Sequence, residues 1–223
     1  MKTLNVIVVL SCLSVLLAPS FSQAYEAGDI IFRAGPANVD PDSSSGLINL
    51  GGTPLAGTEA QVSDDTQLGL TLSYMLTQHW GIELLASTPF EHEITETGIG
   101  VNRVGTAKHL PPTLTAQYYP MSADSALQPY LGVGLNYTTF FSEETASELD
   151  NALGAGTLSL DDSFGLALEI GADYALNDKW LLNLSVWHID INTDASINTP
   201  AGQVTVDVDI DPWVYMLGVG YKF

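Results

Sequence analysis

Five ionisable side chains stand inside segments that otherwise alternate between apolar and small or polar residues: Arg33, Glu83, Glu169, Asp173 and Lys222. Alternate residues of a strand point to opposite faces, and all five lie on the face opposite a uniformly apolar one. Two cations and three carboxylates on that face could form either an ion gate or an ion-paired network that fills the interior. We favour the network, because an unpaired charge in a narrow interior is costly.

Bulky apolar residues share the face of these charges. Leu85 and Trp187 lie toward the middle or upper part of their strands. The other apolar residues expected to line the lumen are Ile31, Tyr130, Phe140, Leu181, Ile189 and Met216. Water-filled barrel lumens are polar. These side chains therefore either form an apolar path for a hydrophobic solute or simply fill a narrow interior, and the residues alone leave both interpretations open.

Residues of the types that often catalyse reactions show no familiar arrangement. The four histidines are scattered, without a Ser–His–Asp arrangement or metal-ligand spacing. The stretch DPDSSSG at 40–46 hints at a calcium loop, but it lacks the glycine at the sixth position and the glutamate at the twelfth. We interpret it as a solvated acidic loop, and we predict no enzyme activity, no cofactor and no metal site.

The elements that position these residues are predicted to be strands. Eight segments show the pattern: DIIFRAGPANV, TQLGLTLSYML, WGIELLAS, PPTLTAQYY, PYLGVGLNYTTFF, FGLALEIGADY, WLLNLSVW and YMLGVGYKF. The connections TQHW, PMSADSALQ and LNDKW are short, whereas those at 40–62, 90–110, 142–162 and 193–210 are long. Short turns on one side, long loops on the other and aromatic residues at strand ends are typical of an outer-membrane barrel. A soluble sandwich would also alternate, but its apolar faces would not normally be this uniform.

The N-terminus and the charge indicate the compartment. Residues 1–24 have one lysine, an apolar run and Ser22-x-Ala24, which is the layout of a cleaved signal peptide. The remaining domain, 25–223, is one unit more negative than the −20 of the full sequence, because Lys2 is lost. Such a charge argues against nucleic acid as a partner.

No later apolar run is long enough for a transmembrane helix, so a membrane-embedded chain has to be a closed barrel. We therefore predict an all-β fold. It is an eight-stranded antiparallel transmembrane β-barrel with short periplasmic turns and long extracellular loops.

Several stretches, from one end of the predicted mature chain to the other, match a known family. HLPPTL, NYTTFF and DPWV are specific, and EAGDIIFRAG, GIELLASTPF and SVWHIDI match as well. The chain resembles the outer-membrane protein W (OmpW) family. This resemblance implies an eight-stranded barrel in the outer membrane of a Gram-negative bacterium and passage of small hydrophobic molecules. It also implies that Leu85 and Trp187 line a channel constriction.

Further expectations concern the route and the partners. A solute that cannot cross a polar plug would leave sideways into the lipid, where Pro36, Pro111 or Pro112 weakens strand pairing. Tyr221 and Phe223 have the position of an assembly signal, so the barrel-assembly machinery is an expected partner together with outer-membrane lipid and lipopolysaccharide. The alternative is a plugged structural or receptor barrel whose acidic extracellular loops bind partners.

Overall fold

The computed structural model describes residues 25–223, so the predicted signal peptide at 1–24 lies outside the described residues. In chain order the elements are β1 (Ile30–Asp40), β2 (Ser44–Ser45), β3 (Asn49–Leu50), β4 (Thr53–Pro54), β5 (Glu59–Val62), β6 (Asp65–Met75), β7 (Trp80–Ser87), β8 (Phe90–Thr97), β9 (Arg103–Leu110), β10 (Thr113–Tyr118), β11 (Leu127–Thr145), α1 (Ser147–Leu153), β12 (Thr157–Leu160), β13 (Ser163–Ala175), β14 (Trp180–Ile189), β15 (Asn192–Thr199), β16 (Gly202–Asp209) and β17 (Trp213–Lys222). In this part of the chain, no helix has both the length and the apolar character needed to cross a membrane.

Eight of the strands close into one antiparallel barrel, which confirms the predicted fold. Around the ring the order is β1, β6, β7, β10, β11, β13, β14 and β17, and β17 pairs with β1 again. Each of these strands therefore has a hydrogen-bonded neighbour on both sides. Closure of this kind satisfies the backbone donors and acceptors inside hydrocarbon, where water is absent.

The outer wall of the barrel is apolar, as the alternation predicted. Leu131, Val133 and Leu135 of β11 are about half exposed, and Leu166 and Leu168 of β13 are 59% exposed. In a soluble protein this would be a large unburied apolar surface, whereas here it is the surface that contacts lipid.

Aromatic residues form pairs at the periplasmic end of the wall. Trp80 and Tyr118 are cross-strand partners with ring centroids 4.9 Å apart. Tyr221 lies 5.0 Å from Trp180 and 4.8 Å from Phe223. Exposed aromatic rings at this height suit the boundary between hydrocarbon and headgroups. The role of Tyr221 and Phe223 in assembly stays a prediction.

The long extracellular connections differ from the expectation of plain loops, because most of their length is strand. One sheet continues the barrel wall with β5, β8, β9 and the end of β11. A second sheet contains β12, β15, β16, β3 and β4, and β2 pairs with β16. The two sheets extend the barrel beyond the apolar band, and we call them together the extension.

Candidate functional site: a filled lumen beneath an apolar chamber

Arg33 lies at the centre of a buried polar network inside the barrel. Its Nη1 is 2.8 Å from Glu83 Oε2, and its Nη2 and Nε are 2.5 Å and 2.9 Å from the two carboxylate oxygens of Asp173. The guanidinium also donates to Ser73 Oγ at 2.6 Å and to the hydroxyl of Tyr119 at 3.2 Å. All five side chains are almost completely buried. The arrangement is the ion-paired filling favoured from sequence, with one cation at its centre.

Two of the predicted ion-pair residues have other partners. Glu169 is buried and accepts two hydrogen bonds from the Gln117 amide at 3.1 Å, and the described residues include no cation within ion-pair distance of it. Lys222 was expected to pair with a lumen carboxylate. Its Nζ instead lies 3.6 Å from Asp29 Oδ2 at the periplasmic rim, and not in the network. The reason is its place as the last residue of the last strand.

Aromatic and aliphatic side chains close the lumen on the periplasmic side of the network. Their contiguous cluster consists of Tyr25, Ile31, Met75, Tyr119, Tyr130 and Leu181. Tyr130 fits there because Gly171 lies opposite, where a Cβ would overlap its ring. Three residues predicted to line the lumen, Ile31, Tyr130 and Leu181, thus lie in this periplasmic layer.

Leu85 and Trp187 lie on the other side of the network, in a second apolar cluster. This apolar layer consists of Ala37, Val39, Leu85, Phe90, Ala167, Trp187, Ile189, Ile191, Val214 and Met216. Trp187 is fully buried, and its indole Nε1 has no hydrogen-bond partner within the described chain. The layer separates the polar network from the extracellular side, so it is where a constriction for apolar solutes would have to be. The constriction role of Leu85 and Trp187 stays a prediction.

Above the apolar layer, the extension encloses an apolar chamber. Its walls come from both sheets and α1, and include Ile94, Leu149, Leu158, Ile197, Val204 and Val206. Phe140, which was predicted to line the lumen, lines this chamber and packs against the apolar layer.

Two histidines meet at the wall of the chamber. His92 Nε2 and His109 Nε2 are 2.9 Å apart, and the ring of His109 is flanked by Phe90 and Phe140. Burial, together with the smaller effect of the neighbouring His92, lowers the pKa of His109 to about 3. Burial also lowers the pKa of His92, although its contact with the Ser63 carbonyl acts in the opposite direction. Both rings are therefore neutral at physiological pH.

Sequence reasoning missed this pair because it treated 90–110 as a loop. A signal was present, since Phe90, His92, Ile94 and Glu96 share one parity in FEHEITET. The strands β8 and β9 form a hairpin in which Phe90 pairs with His109. Three or more residues of types that ligate metals do not converge anywhere in 25–223.

The barrel wall has a seam next to the apolar layer. Ladder pairs between β7 and β10 stop at Leu85 with Thr113, and pairing resumes between β8 and β9 at Phe90 with His109. Between these two pairs, residues 86–89 and 110–112 form no ladder pair with each other. They form hydrogen bonds with the strands on their other sides, β6 and β11. Thr88 N–H donates to the Leu68 carbonyl at 2.9 Å, and the Pro112 carbonyl accepts from Tyr137 N–H at 3.1 Å.

Two of the three proline positions predicted to weaken the wall lie in this seam, and as prolines they have no N–H to donate across it. The third, Pro36, faces a shorter interruption, where the pairing of β1 with β17 skips two residues. Pairing on the other side of Pro36 is intact, because it aligns with Leu68 of β6. The larger gap is therefore the one at Pro111 and Pro112.

The chain matches known proteins over almost its whole length. A model of the OmpW family matches residues 26–223. The chain belongs to the OmpW family. Outer membrane protein W of Vibrio cholerae serotype O1 is 47% identical over 226 aligned residues, which cover 100% of this chain and 99% of that protein.

A solved relative shares the fold closely. The crystal structure of OprG, an outer membrane protein from Pseudomonas aeruginosa, is 51% identical and superposes with a TM-score of 0.87, covering 91% of this chain and 99% of that one. A more distant relative, the dibenzothiophene metabolism operon protein PahQ of Pseudomonas aeruginosa, is 26% identical over 194 residues, or 86% of this chain and 87% of that protein. This OmpW-family chain is accordingly an outer-membrane barrel of a Gram-negative bacterium.

Proposed function

We propose that this barrel is a route by which small apolar molecules cross the polar surface of the outer membrane. They enter the chamber from outside, pass Leu85 and Trp187, and leave through the seam into the hydrocarbon of the membrane. The observation that carries this proposal is the apolar chamber, which stands directly above a lumen that is filled with side chains.

The filling of the lumen argues against straight passage to the periplasm. A solute leaving the apolar layer downward would meet Arg33, Glu83 and Asp173, whose charges and hydrogen bonds it would disrupt without replacing them. An unpaired buried charge costs several kcal/mol, about 3–5. Sideways exit avoids this cost, because the solute moves from one apolar environment into another.

The seam supports the sideways route. Residues 86–89 and 110–112 adjoin both Leu85 of the apolar layer and His109 of the chamber. Opening the wall between residues 86–89 and 110–112 breaks no ladder pair between β7 and β10. The relative named for a dibenzothiophene operon agrees with an apolar cargo, since dibenzothiophene is an apolar fused-ring aromatic compound with one sulfur atom.

Uptake by cells tests the proposal. Cells lacking the protein would be complemented with the wild type, Leu85→Asn or Trp187→Gln, and the uptake of labelled dibenzothiophene measured. We expect the wild type to raise uptake and both variants to lose most of that gain. A polar group in the apolar layer opposes an apolar solute by about 1–3 kcal/mol, or roughly 5- to 150-fold in rate.

Leu181→Asn is the matched control, because Leu181 is a buried lumen leucine in the periplasmic layer, away from the proposed route. The heat-dependent gel shift identifies variants that fold. Equal uptake with and without the protein would refute transport and favour the alternative of a plugged receptor barrel. Equal loss in all three folded variants would refute the assigned route.

A further inference from the structure

Most of the residues that line the chamber are apolar. Its polar lining residues are His92, Glu96, His109 and Thr193. The carboxylate of Glu96 accepts the backbone N–H groups of Ile99 and Val101 at 2.9 Å and 2.7 Å. Thr193 donates its hydroxyl to the Asp161 carbonyl at 2.8 Å. Glu96 and Thr193 therefore already have hydrogen-bond partners within the protein, and neither needs one from a solute.

The hydrogen bonds of the histidine pair fix its tautomers. His92 Nδ1 lies 2.5 Å from the Ser63 carbonyl, and a carbonyl oxygen only accepts, so this nitrogen carries the proton. In the neutral ring, His92 Nε2 is then an acceptor. It takes its hydrogen bond from His109 Nε2, 2.9 Å away. His109 therefore carries its proton on Nε2, and its Nδ1 is a lone-pair acceptor.

That acceptor has no hydrogen-bond partner in residues 25–223. His109 is 5% exposed, and its Nδ1 is buried without a hydrogen-bond partner among the residues described. A buried acceptor without a partner costs about 1–3 kcal/mol, and most buried polar atoms are satisfied. Because His109 lines the chamber, a solute with one donor could satisfy this nitrogen while its apolar body lies against the apolar lining.

We propose that the chamber prefers small apolar molecules that carry one hydroxyl group, which His109 Nδ1 accepts, over the corresponding ethers and hydrocarbons. This inference rests on the proposed function, because it names the solute class for the same chamber. The low pKa of His109 agrees with it, since a neutral ring accepts from a hydroxyl and offers no positive charge to a carboxylate.

Three probes of nearly equal shape test the preference. 1-Naphthol has a donor, 1-methoxynaphthalene has the oxygen without the donor, and naphthalene has neither. Binding to the full mature protein in lipid nanodiscs would be measured by equilibrium dialysis against empty nanodiscs of the same lipid. One net hydrogen bond predicts about 3- to 10-fold tighter binding of 1-naphthol than of 1-methoxynaphthalene.

The double variant His92→Phe with His109→Phe is the informative one. It removes both imidazoles and leaves no ring acceptor at this part of the wall, so the preference should fall to about onefold while naphthalene still binds. His79→Phe, in the periplasmic turn, is the control and should keep the preference. Equal binding of the two oxygenated probes by the wild type, or an unchanged preference in the double variant, would overturn the proposal.

Two further results separate the possible failures. If naphthalene itself does not bind above empty nanodiscs, the proposed function fails together with the preference. If naphthalene binds without a hydroxyl preference, only the preference fails. Should the double variant not fold, ¹⁵N NMR of histidine-labelled wild type decides, because 1-naphthol must shift the Nδ1 resonance of His109 and 1-methoxynaphthalene must not.

Discussion

At the scale of residues, the polar network has one cation for three buried carboxylates. Arg33 pairs with Glu83 and Asp173, whereas Glu169 relies on the Gln117 amide. Asp173 also accepts hydrogen bonds from Tyr25 and Asn183. Arg33 is therefore the residue whose loss leaves the largest buried charge without compensation.

We expect Arg33→Met to reduce the free energy of unfolding by about 3–5 kcal/mol, because it leaves buried carboxylates unpaired. The measurement is urea unfolding of the barrel from lipid vesicles. Arg103→Met is the control, since the side chains of Arg103 and Glu93 are 47% and 43% exposed. An exposed pair contributes about 0–1 kcal/mol. Equal losses in the two variants would contradict the central role of Arg33.

The histidine pair predicts a pH dependence. The pKa of His109 is about 3 in the folded protein, against about 6.5 when unfolded. The unfolded state therefore binds more protons between these values, and stability falls as the pH falls from about 6.5 toward 3. Asp64 and Asp65 lie near His92 and partly oppose the effect on that ring.

The measurement is the free energy of unfolding at pH 7.5 and pH 5 for the wild type and His109→Phe. The wild type should lose about 2 kcal/mol more than the variant over this interval, because pH 5 is about 1.5 units below the unfolded pKa. A difference close to zero would mean that His109 is not buried as a neutral ring.

Residue parity predicted which side chains point inward, but it did not predict their partners. Arg33, Glu83 and Asp173 converge as the alternation indicated. The contact between His92 and His109 depends on the register of a hairpin that sequence reasoning took for a loop. Register follows from pairing across the sheet, and local alternation does not contain that information.

At the scale of elements, the seam can be closed chemically. Ala86 and Pro112 are the residues next to the last ladder pair between β7 and β10, which joins Leu85 to Thr113. In Ala86→Cys combined with Pro112→Cys, oxidation should link the two strands and abolish uptake of dibenzothiophene. A reductant should restore it in the same sample.

Each single cysteine variant is the control, since neither can form the link. The predicted mature chain has no cysteine of its own, because Cys12 lies in the leader. Undiminished uptake through the oxidised protein would place the exit elsewhere. The interruption at Pro36 would then be examined in the same way.

The extension shows why alternation predicted the barrel strands and not the strands beyond them. Val204, Val206 and Val208 of β16 face the chamber, whereas Asp207 and Asp209 face outward. This is the reverse of the barrel, whose apolar residues face lipid. The change follows from the surroundings, since the outer face passes from hydrocarbon to water while the inner face becomes apolar. A search for apolar outer faces therefore ends at the membrane boundary.

At the scale of the whole molecule, four layers follow one another along the barrel axis. From the periplasm these are the aromatic layer, the polar network, the apolar layer and the chamber. Side chains fill the three lower layers, whereas the chamber leaves space that side chains do not occupy. Under the proposed function, apolar solutes enter the chamber from outside, meet the polar network below the apolar layer, and leave through the wall.

The pairing of the first strand with the last has a consequence for chain connectivity. Lys222 aligns with Ile31, and Phe223 N–H donates to the Ile30 carbonyl at 2.9 Å. The two ends are therefore adjacent, and a circular permutant with its ends joined and new termini in the turn at 77–79 keeps every strand neighbour. We expect this permutant to refold from urea into micelles with the wild-type heat-dependent gel shift. Failure in micelles would show that the order of the strands along the chain is itself needed for closure. Success in micelles without assembly in cells would separate the stability of the ring from the predicted assembly signal at Tyr221 and Phe223, which the permutant moves to the middle of the chain.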